Sequence, residues 1–364
     1  EAKLRDSDLY RKSYDYWSSR LPTLPPAPEL PFTKNPSSVT YPRFVCRNAR
    51  LEKGSWLRLK ERAARAGLTP SGVLLCAFAE VLKLWSKSPR FTVNLTLFNR
   101  LPLHPQVNDI VGDFTSVTLL AVENSIQDTF EDRARGLQQQ FWNDLDHRYV
   151  SGVQVMRELA KRQGEAPRAL MPVVFTSTLA NDLQAEDSKL MTWMGDIVYG
   201  IAQTPQVWLD HIVVEKAGEL LFNWNTVDEL FPEGLLQAMF DSYCRFLDCL
   251  ANDEESWEET WPETVQRLVP PAQLEQRSSI NATEAPVKSD LLHTLFAEQV
   301  PKRLDQPAVV SSDRTLTYEE LFRRSNQVGR LLRQLDAHPN TLVAVVMEKG
   351  WEQGVAVLGI LTSG

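Results

Sequence analysis

Histidine and cysteine are scarce, five of the one and four of the other in 364 residues. The cysteines stand at Cys46, Cys76, Cys244 and Cys249, and no His or Cys group has the spacing of a zinc site. The last pair is too widely spaced for a CxxC motif, and Cys76 lies on an apolar helical face, so reduced, packed thiols in a cytoplasmic protein are expected. A basic excess is missing too. Lys and Arg number 39 against 47 Asp and Glu, a formal charge of -8, which argues against binding nucleic acid through phosphate neutralisation. The short basic run from Lys60 to Arg65 reads as the solvated face of a helix. No apolar run is long enough to span a bilayer and no signal peptide is recognisable, so no membrane association is expected, nor sugar at Asn94 or Asn281. The first residue is Glu1 and the last, Gly364, falls inside an apolar helical pattern, so both ends read as cuts.

What is present is an ordinary globular composition, 43% hydrophobic and 24% charged, in a chain long enough for two units. Leu4 to Arg20 reads as a helix. Leu21 to Pro31, LPTLPPAPELP, cannot be helix or central strand and must cross a surface in extended form along a fixed path. Thr69-Pro70 is a helix start, with apolar residues from Val73 to Trp85 recurring at helical spacing. Strands are expected over Phe91–Phe98, Phe114–Val122, Pro172–Thr178, Val207–Val214 and Leu220–Trp224, the last two joined by a hairpin at Lys216-Ala217-Gly218. Helices are expected over Ser125–Leu145, Gly152–Arg162 and Leu235–Leu250. This mixture indicates an α/β or α+β lobe. Residues 1–252 are read as one domain and the acidic, proline-punctuated stretch 253–288 as a linker. Residues 289–364 are read as a second unit. Its helix, strand (Ala308–Ser311), helix (Tyr318–Leu335), strand (Leu342–Met347) and helix suggest the start of a parallel sheet.

Several segments, taken in order, resemble the heterocyclization domains of non-ribosomal peptide synthetases. They are LPTLPPAPELP, then TPSGVLLCAFAEVLKLW (Thr69–Trp85) and NLTLFNRLPLHPQVNDIVGDFTSVTLL (Asn94–Leu120). PVVFTS (Pro172–Ser177), QTPQVWLDH (Gln203–His211) and the closing segment Phe222–Phe231 follow. After the linker, LTYEEL (Leu316–Leu321) and VLGILTSG (Val357–Gly364) are similar to the first two core motifs of adenylation domains. The resemblance implies a chloramphenicol-acetyltransferase-like α/β lobe of a condensation-type domain, followed by the N-terminal beginning of an adenylate-forming domain. The family's amino-terminal lobe with its Asp-x-x-x-x-Asp motif is not in the sequence. Nor are the adenylation domain's phosphate loop and selectivity residues. The fragment alone is therefore expected to be inactive and to bind no cofactor of its own.

The same resemblance implies the chemistry. An acyl group held as a carrier thioester is joined to the amine of a carrier-bound Cys, Ser or Thr. The side chain is then cyclised onto the new amide with loss of water, as in synthetases of thiazoline siderophores of the yersiniabactin and pyochelin type. The nucleophiles belong to the substrates, so no enzyme nucleophile is needed. A carboxyl group supplying and removing protons contributes roughly 10²–10⁴-fold. Asp210, in the Trp-Leu-Asp stretch of QVWLD, is the first candidate by this resemblance, and partial burial behind an apolar strand would raise its pKa. Thr176 is the second, because a hydroxyl can both donate and accept. Gln206 and Asn94 are candidates for hydrogen bonds to substrate amides. Ser177 is a candidate substrate contact that alternates to the face opposite Thr176. Asp113 is a candidate turn or substrate residue, and Arg100 is a structural candidate that pairs with a carboxylate of the other lobe. His104, His147 and His211 have no second group at diagnostic spacing, and His211 points away from Asp210. The implied partners are upstream and downstream carrier domains bearing phosphopantetheine and the rest of the same synthetase, with ATP and Mg serving the complete adenylation domain. Two other readings remain open: an ordinary amide-forming condensation domain, and a lobe that only docks carriers.

Overall fold

The computed structural model describes residues 2–101, 104–123, 127–163, 171–179, 204, 206–286 and 289–364. They divide into two units, Glu1–Ile280 and Asn281–Gly364.

Two helices, α1 (Ala2–Arg5) and α2 (Asp8–Arg20), stand where one was expected. Ser7 separates them and caps the second, its hydroxyl accepting from the Tyr10 amide at 3.2 Å. The proline-rich segment does follow a fixed path. Proline offers no N–H, so the chain is tied through carbonyls. Pro25 O accepts the Thr92 hydroxyl at 2.6 Å and Pro26 O the Thr92 amide at 2.7 Å. Strand β1 (Val45–Leu51) and helix α3 (Lys53–Arg65) follow, then α4 (Pro70–Trp85), β2 (Phe91–Phe98), β3 (Thr115–Val122), α5 (Phe130–Asp146) and α6 (Gly152–Gln163). The unit continues with β4 (Val173–Ser177), β5 (Leu209–Lys216), β6 (Glu219–Thr226) and α7 (Leu235–Asn252). Ala217 and Gly218, both at positive φ, turn β5 into β6.

The six strands form one mixed sheet in the order β1-β6-β5-β4-β2-β3, with β5, β4 and β2 parallel and the other pairings antiparallel. One face carries the main core. Phe91, Val93, Phe175, Leu209, Val213, Phe222 and Trp224 pack there with Trp56, Phe78, Phe130 and Tyr243 of the helices. Each such side chain contributes roughly 1.5–3 kcal/mol by leaving water. Helix α4 is buried beyond the expected stripe, from Gly72 through Lys83, Glu80 included. On the opposite face, α2 and α6 cover the β3 end with a smaller cluster of Trp17, Leu119, Val155 and Leu159.

The first unit does not stop at residue 252. Trp257 is buried, and α8 (Trp261–Leu268), opened by a Thr260–Glu263 capping box, buries Thr264 and Leu268. Arg133 explains the attachment. It and Glu80 are both 0% exposed and share two hydrogen bonds at 3.0 and 3.1 Å. The same guanidinium donates to the Thr264 hydroxyl at 3.1 Å and to Glu259 O at 3.4 Å. A buried charge pair needs its remaining donors satisfied, and residues 259–264 supply acceptors together with Asp128 O at 2.5 Å. Of the stretch read as linker, 253–268 is thus core, and the exposed α9 (Pro271–Asn281) follows it.

The second unit contains α10 (Leu292–Gln299), β7 (Pro307–Val310), β8 (Thr315–Thr317), α11 (Tyr318–Gln334) and α12 (Trp351–Ser363). Its small core holds Leu316, Leu321 and Val355. β7 and β8 pair antiparallel, and the expected strand over Leu342–Met347 is irregular, with Leu342 fully exposed. The expected parallel sheet is therefore absent among the described residues.

Candidate active site

Alternation along the strands builds the site. On β5, Leu209, His211 and Val213 enter the helix-covered core, which turns Asp210 and Ile212 to the other face. On β6, Phe222 and Trp224 enter the core and turn Asn223 and Asn225 outward. Cross-strand register then sets Asp210 beside Val174 of β4 and Asn225 of β6, and Asn94 of β2 beside Val174. One row across this face therefore reads Asn94, Val174, Asp210, Asn225. Asp210 and Asn94 are two strand spacings apart, roughly 10 Å. Thr176 occupies the next row, diagonal to Asp210 at about 5–8 Å.

This polar face is under-satisfied. The Oδ1 atoms of Asp210, Asn94 and Asn223 are buried and have no hydrogen-bond partner among the described residues. Asn94 is 8% exposed, so its free amide oxygen is not compensated by bulk water. Asp210 is half-buried, and desolvation alone pushes its carboxyl up to about 6. No cation among the described residues neutralises it, so it can hold or release a proton near neutrality.

Thr176 donates its hydroxyl to the Thr96 Oγ1 at 2.8 Å, which fixes its rotamer and leaves its own lone pairs free. Ser177 alternates to the other face as expected and meets Ser71 at the start of α4, the two hydroxyls 2.7 Å apart. Gln206 is exposed at the entry to β5, with φ at 73°. Gln203 and Pro205 of the same motif lie outside the described residues. Asp113 accepts the Thr115 amide at 2.8 Å and closes the turn into β3. Hydrogen bonds from Thr115 hold its carboxyl below the usual range. Arg100 has partners other than a carboxylate. It donates to the carbonyls of Val107 and Ile110 at 2.7 and 3.0 Å and lies 4.1 Å from the Phe114 ring centroid, bracing the loop before β3. The structure thus brings Asp210, Thr176 and Asn94 to one face and keeps Ser177, Gln206, Asp113 and Arg100 apart from it.

The histidines are structural. His211 is 0% exposed among Phe78, Phe175, Trp224 and Tyr243, and burial drives its pKa down to about 3. His147 stacks on Tyr16 at 3.9 Å, and His104 Nδ1 accepts the Gln106 amide. Among the described residues no group of three His, Cys, Asp or Glu comes together as a metal site. Sequence reasoning missed Thr96, Asn223 and Asn225. The signal for the asparagines was present in Phe-Asn-Trp-Asn, a strict alternation in which amides occupy every position facing away from the core.

A cavity of about 320 Å³ lies between the sheet and its helices near the C-terminal ends of β2 and β4, walled by Leu75, Phe98, Phe141, Trp142 and Phe175, with Ser71, Thr96 and Ser177 also lining it.

The sequence and the fold both have relatives. The condensation domain family matches residues 1–263, and the AMP-binding enzyme family matches residues 296–364. Pyochelin synthetase PchF of Pseudomonas aeruginosa is 37% identical over 370 residues, covering 100% of this chain and 19% of that protein. Phenyloxazoline synthase MbtB of Mycobacterium tuberculosis is 36% identical over 362 residues, covering 99% of this chain and 25% of that one. Among solved structures, the non-ribosomal peptide synthetase FmoA3 superposes with a TM-score of 0.84 at 35% identity, over 99% of this chain and 37% of its own. The EpoB cyclization-docking bidomain of Sorangium cellulosum superposes with a TM-score of 0.63 at 43% identity, over 71% of this chain and 52% of its own. The chain belongs to the condensation-domain family of non-ribosomal peptide synthetases and carries the start of an AMP-binding domain behind it.

Proposed function

We propose that this chain is the part of a synthetase that condenses a carrier-bound acyl group with carrier-bound cysteine, or serine or threonine, and cyclodehydrates the product to a thiazoline or oxazoline in siderophore assembly. The observation that carries this reading is Asp210, whose half-buried carboxyl has, among the described residues, no charged partner and one oxygen without a hydrogen bond, and whose pKa is pushed up to about 6 by burial. Plain amide formation has a thioester carbonyl to attack and a thiol to expel. Cyclodehydration attacks an amide carbonyl and must expel hydroxide, which leaves only with a proton. In the first step the substrate thiol or hydroxyl adds to the amide carbon and its proton passes to the carbonyl oxygen. In the second the C–O bond breaks, water departs, and the amide N–H proton is removed as C=N forms. Asp210 is suited to receive a proton at one stage and return it at the next. Thr176, with its hydrogen committed to Thr96, offers its lone pairs to the departing hydroxyl, and Asn94 offers its free amide to the substrate backbone.

The carrier domains, their phosphopantetheine arms, and the ATP and Mg of adenylation belong to the complete synthetase and enter as partners and substrates. The test uses that synthetase, loaded with acyl donor and cysteine, and follows carrier-bound product by intact mass. The natural protein yields product one water lighter than the amide, and Asp210→Asn accumulates the amide. If the natural protein stops at the amide, the domain is an ordinary condensation enzyme.

A further inference from the structure

The proline-rich segment runs into an aromatic cluster at the entrance to β5. Trp208 extends the β5 ladder by one residue, its amide donating to Pro172 O at 2.9 Å and its carbonyl accepting the Val227 amide at 3.1 Å. Leu209, fully buried, enters the helix-covered core. Alternation therefore sets Trp208 on the face of Asp210, with the two Cα atoms roughly 7 Å apart. Phe32, which follows the last proline of the segment, meets the indole edge-on with ring centroids 5.2 Å apart, and packs on Phe231 at 5.0 Å. The Thr33 amide fixes the chain behind Phe32 by donating to Leu230 O at 2.9 Å. Earlier in the segment, Pro25 and Pro26 are bonded to Thr92, which is buried two residues before Asn94 and shares its face. The segment thus closes the sheet along the row next to that of Asn94 and Asp210.

Val174 of β4, Ile212 of β5 and Trp208 are the apolar side chains flanking Asp210 on its face among the described residues. The indole is the largest of them, and Phe32 holds it from outside the sheet. Phe32 is 40% exposed, so its ring adds less to the core than a fully buried one, and its ring contacts fall on Trp208 and Phe231. Charged and titratable groups on this face are distant among the described residues. Cys46 and Arg50 belong to β1, beyond β6, and Lys216 and Glu219 lie at the hairpin, roughly 20 Å along the strand. Asp228, past the end of β6, is committed to Arg47 at 3.0 Å, and α2 and α6 cover the β3 end of the sheet. The ionisation of Asp210 is therefore governed by how much water reaches its carboxyl. We infer that Trp208, held by Phe32, is a positioning residue that screens the Asp210 carboxyl from water, and that the proline-rich segment acts on the site by fixing this indole. The inference rests on the assignment of proton chemistry to Asp210 and adds what tunes that group.

The test reads Asp210 both directly and through the reaction. Its side-chain carboxyl carbon, identified in the isotope-labelled full chain by its absence from the Asp210→Asn spectrum, is titrated by NMR. The natural chain is expected to titrate near pH 6. Trp208→Ala admits water and is expected to lower that value by about one pH unit or more. Trp208→Phe keeps an aromatic ring and is expected to stay within about half a unit of the natural chain. Phe32→Ala changes a partly exposed ring and decides the matter should Trp208→Ala fail to fold; a fall of about half a unit is expected. The pH profile of single-turnover water loss in the complete synthetase should move with the carboxyl in each variant. A carboxyl that still titrates at its natural value in folded Trp208→Ala, or in Phe32→Ala, overturns the inference. If the carboxyl shifts as expected and the water-loss profile does not follow, the role of Trp208 stands and the assignment of cyclization chemistry to Asp210 falls.

Discussion

Asp210 and His211 are neighbours on β5, yet the sheet gives them opposite surroundings. His211 is sealed among aromatic rings, and burial depresses its pKa to about 3. Asp210 lies half-buried among asparagines and threonines, and the same physical cause raises its pKa to about 6. Burial disfavours charge in both, so the base stays neutral and the acid is held near its neutral form. The neighbourhoods differ in what surrounds the group. On the core side Arg133 and Glu80 are paired, the charge of His211 is suppressed, and Lys83, without a hydrogen-bond partner among the described residues, lies over the Trp261 ring at 4.1 Å. On the opposite face three side-chain oxygens are left without partners. A folded core does not need such oxygens, whereas a site awaiting a substrate does.

The comparison can be broken in several ways. The largest effect is expected from the core. Arg133→Met takes the guanidinium away from buried Glu80 and releases α8, and should cost about 3–5 kcal/mol in urea unfolding. His211 comes next. Its depressed folded pKa means that the neutral form's stability is fully present above pH 6.5 and is lost as pH falls toward 3. Stability should drop by about 2 kcal/mol or more between pH 7 and pH 4.5, and His211→Phe should flatten that drop. Taking the difference between the two pH values removes any packing cost of the new ring. Asp210 runs the other way. Its raised folded pKa gives stability that is fully present below pH 3.8 and is lost as pH rises through about 6. Asp210→Asn should therefore raise stability at pH 8 by about 1–3 kcal/mol while cyclization fails, a gain of stability at the expense of activity. The smallest effect is expected at Thr96→Val, which frees the Thr176 hydroxyl and should change stability by about 0.5–1.5 kcal/mol.

Much of this architecture was legible in the sequence wherever a local rule governs it. Thr69-Pro70 opened a helix as its capping chemistry requires, and Ala217-Gly218 turned the hairpin. The alternation that separates Asp210 from His211, and Thr176 from Ser177, was readable from period two alone. What escaped depends on distant residues. β1 is an edge strand of mixed polarity, Val-Cys-Arg-Asn-Ala-Arg-Leu, without a strand's usual signature. Within residues 253–268 the apolar spacing Trp261, Val265, Leu268 is only two turns long, too short to mark a helix, and a buried ion pair on α4 and α5 holds much of the segment. Asn94 was recognisable as a candidate, but its row with Asp210 and Asn225 exists only through register. Leu342 to Met347 looked like a strand and finds no pairing partner among the described residues.

The central claim is that the carboxyl of Asp210, its pKa raised by burial, performs the proton chemistry of cyclodehydration. Its most direct test is the pH dependence of single-turnover water loss from a preformed carrier-bound amide in the complete synthetase. The account predicts a titration near pH 6 that disappears in Asp210→Asn, together with a rate loss of roughly 10²–10⁴-fold. A profile with the same inflection in both proteins, or an Asp210→Asn enzyme that still expels water at the natural rate, would contradict it.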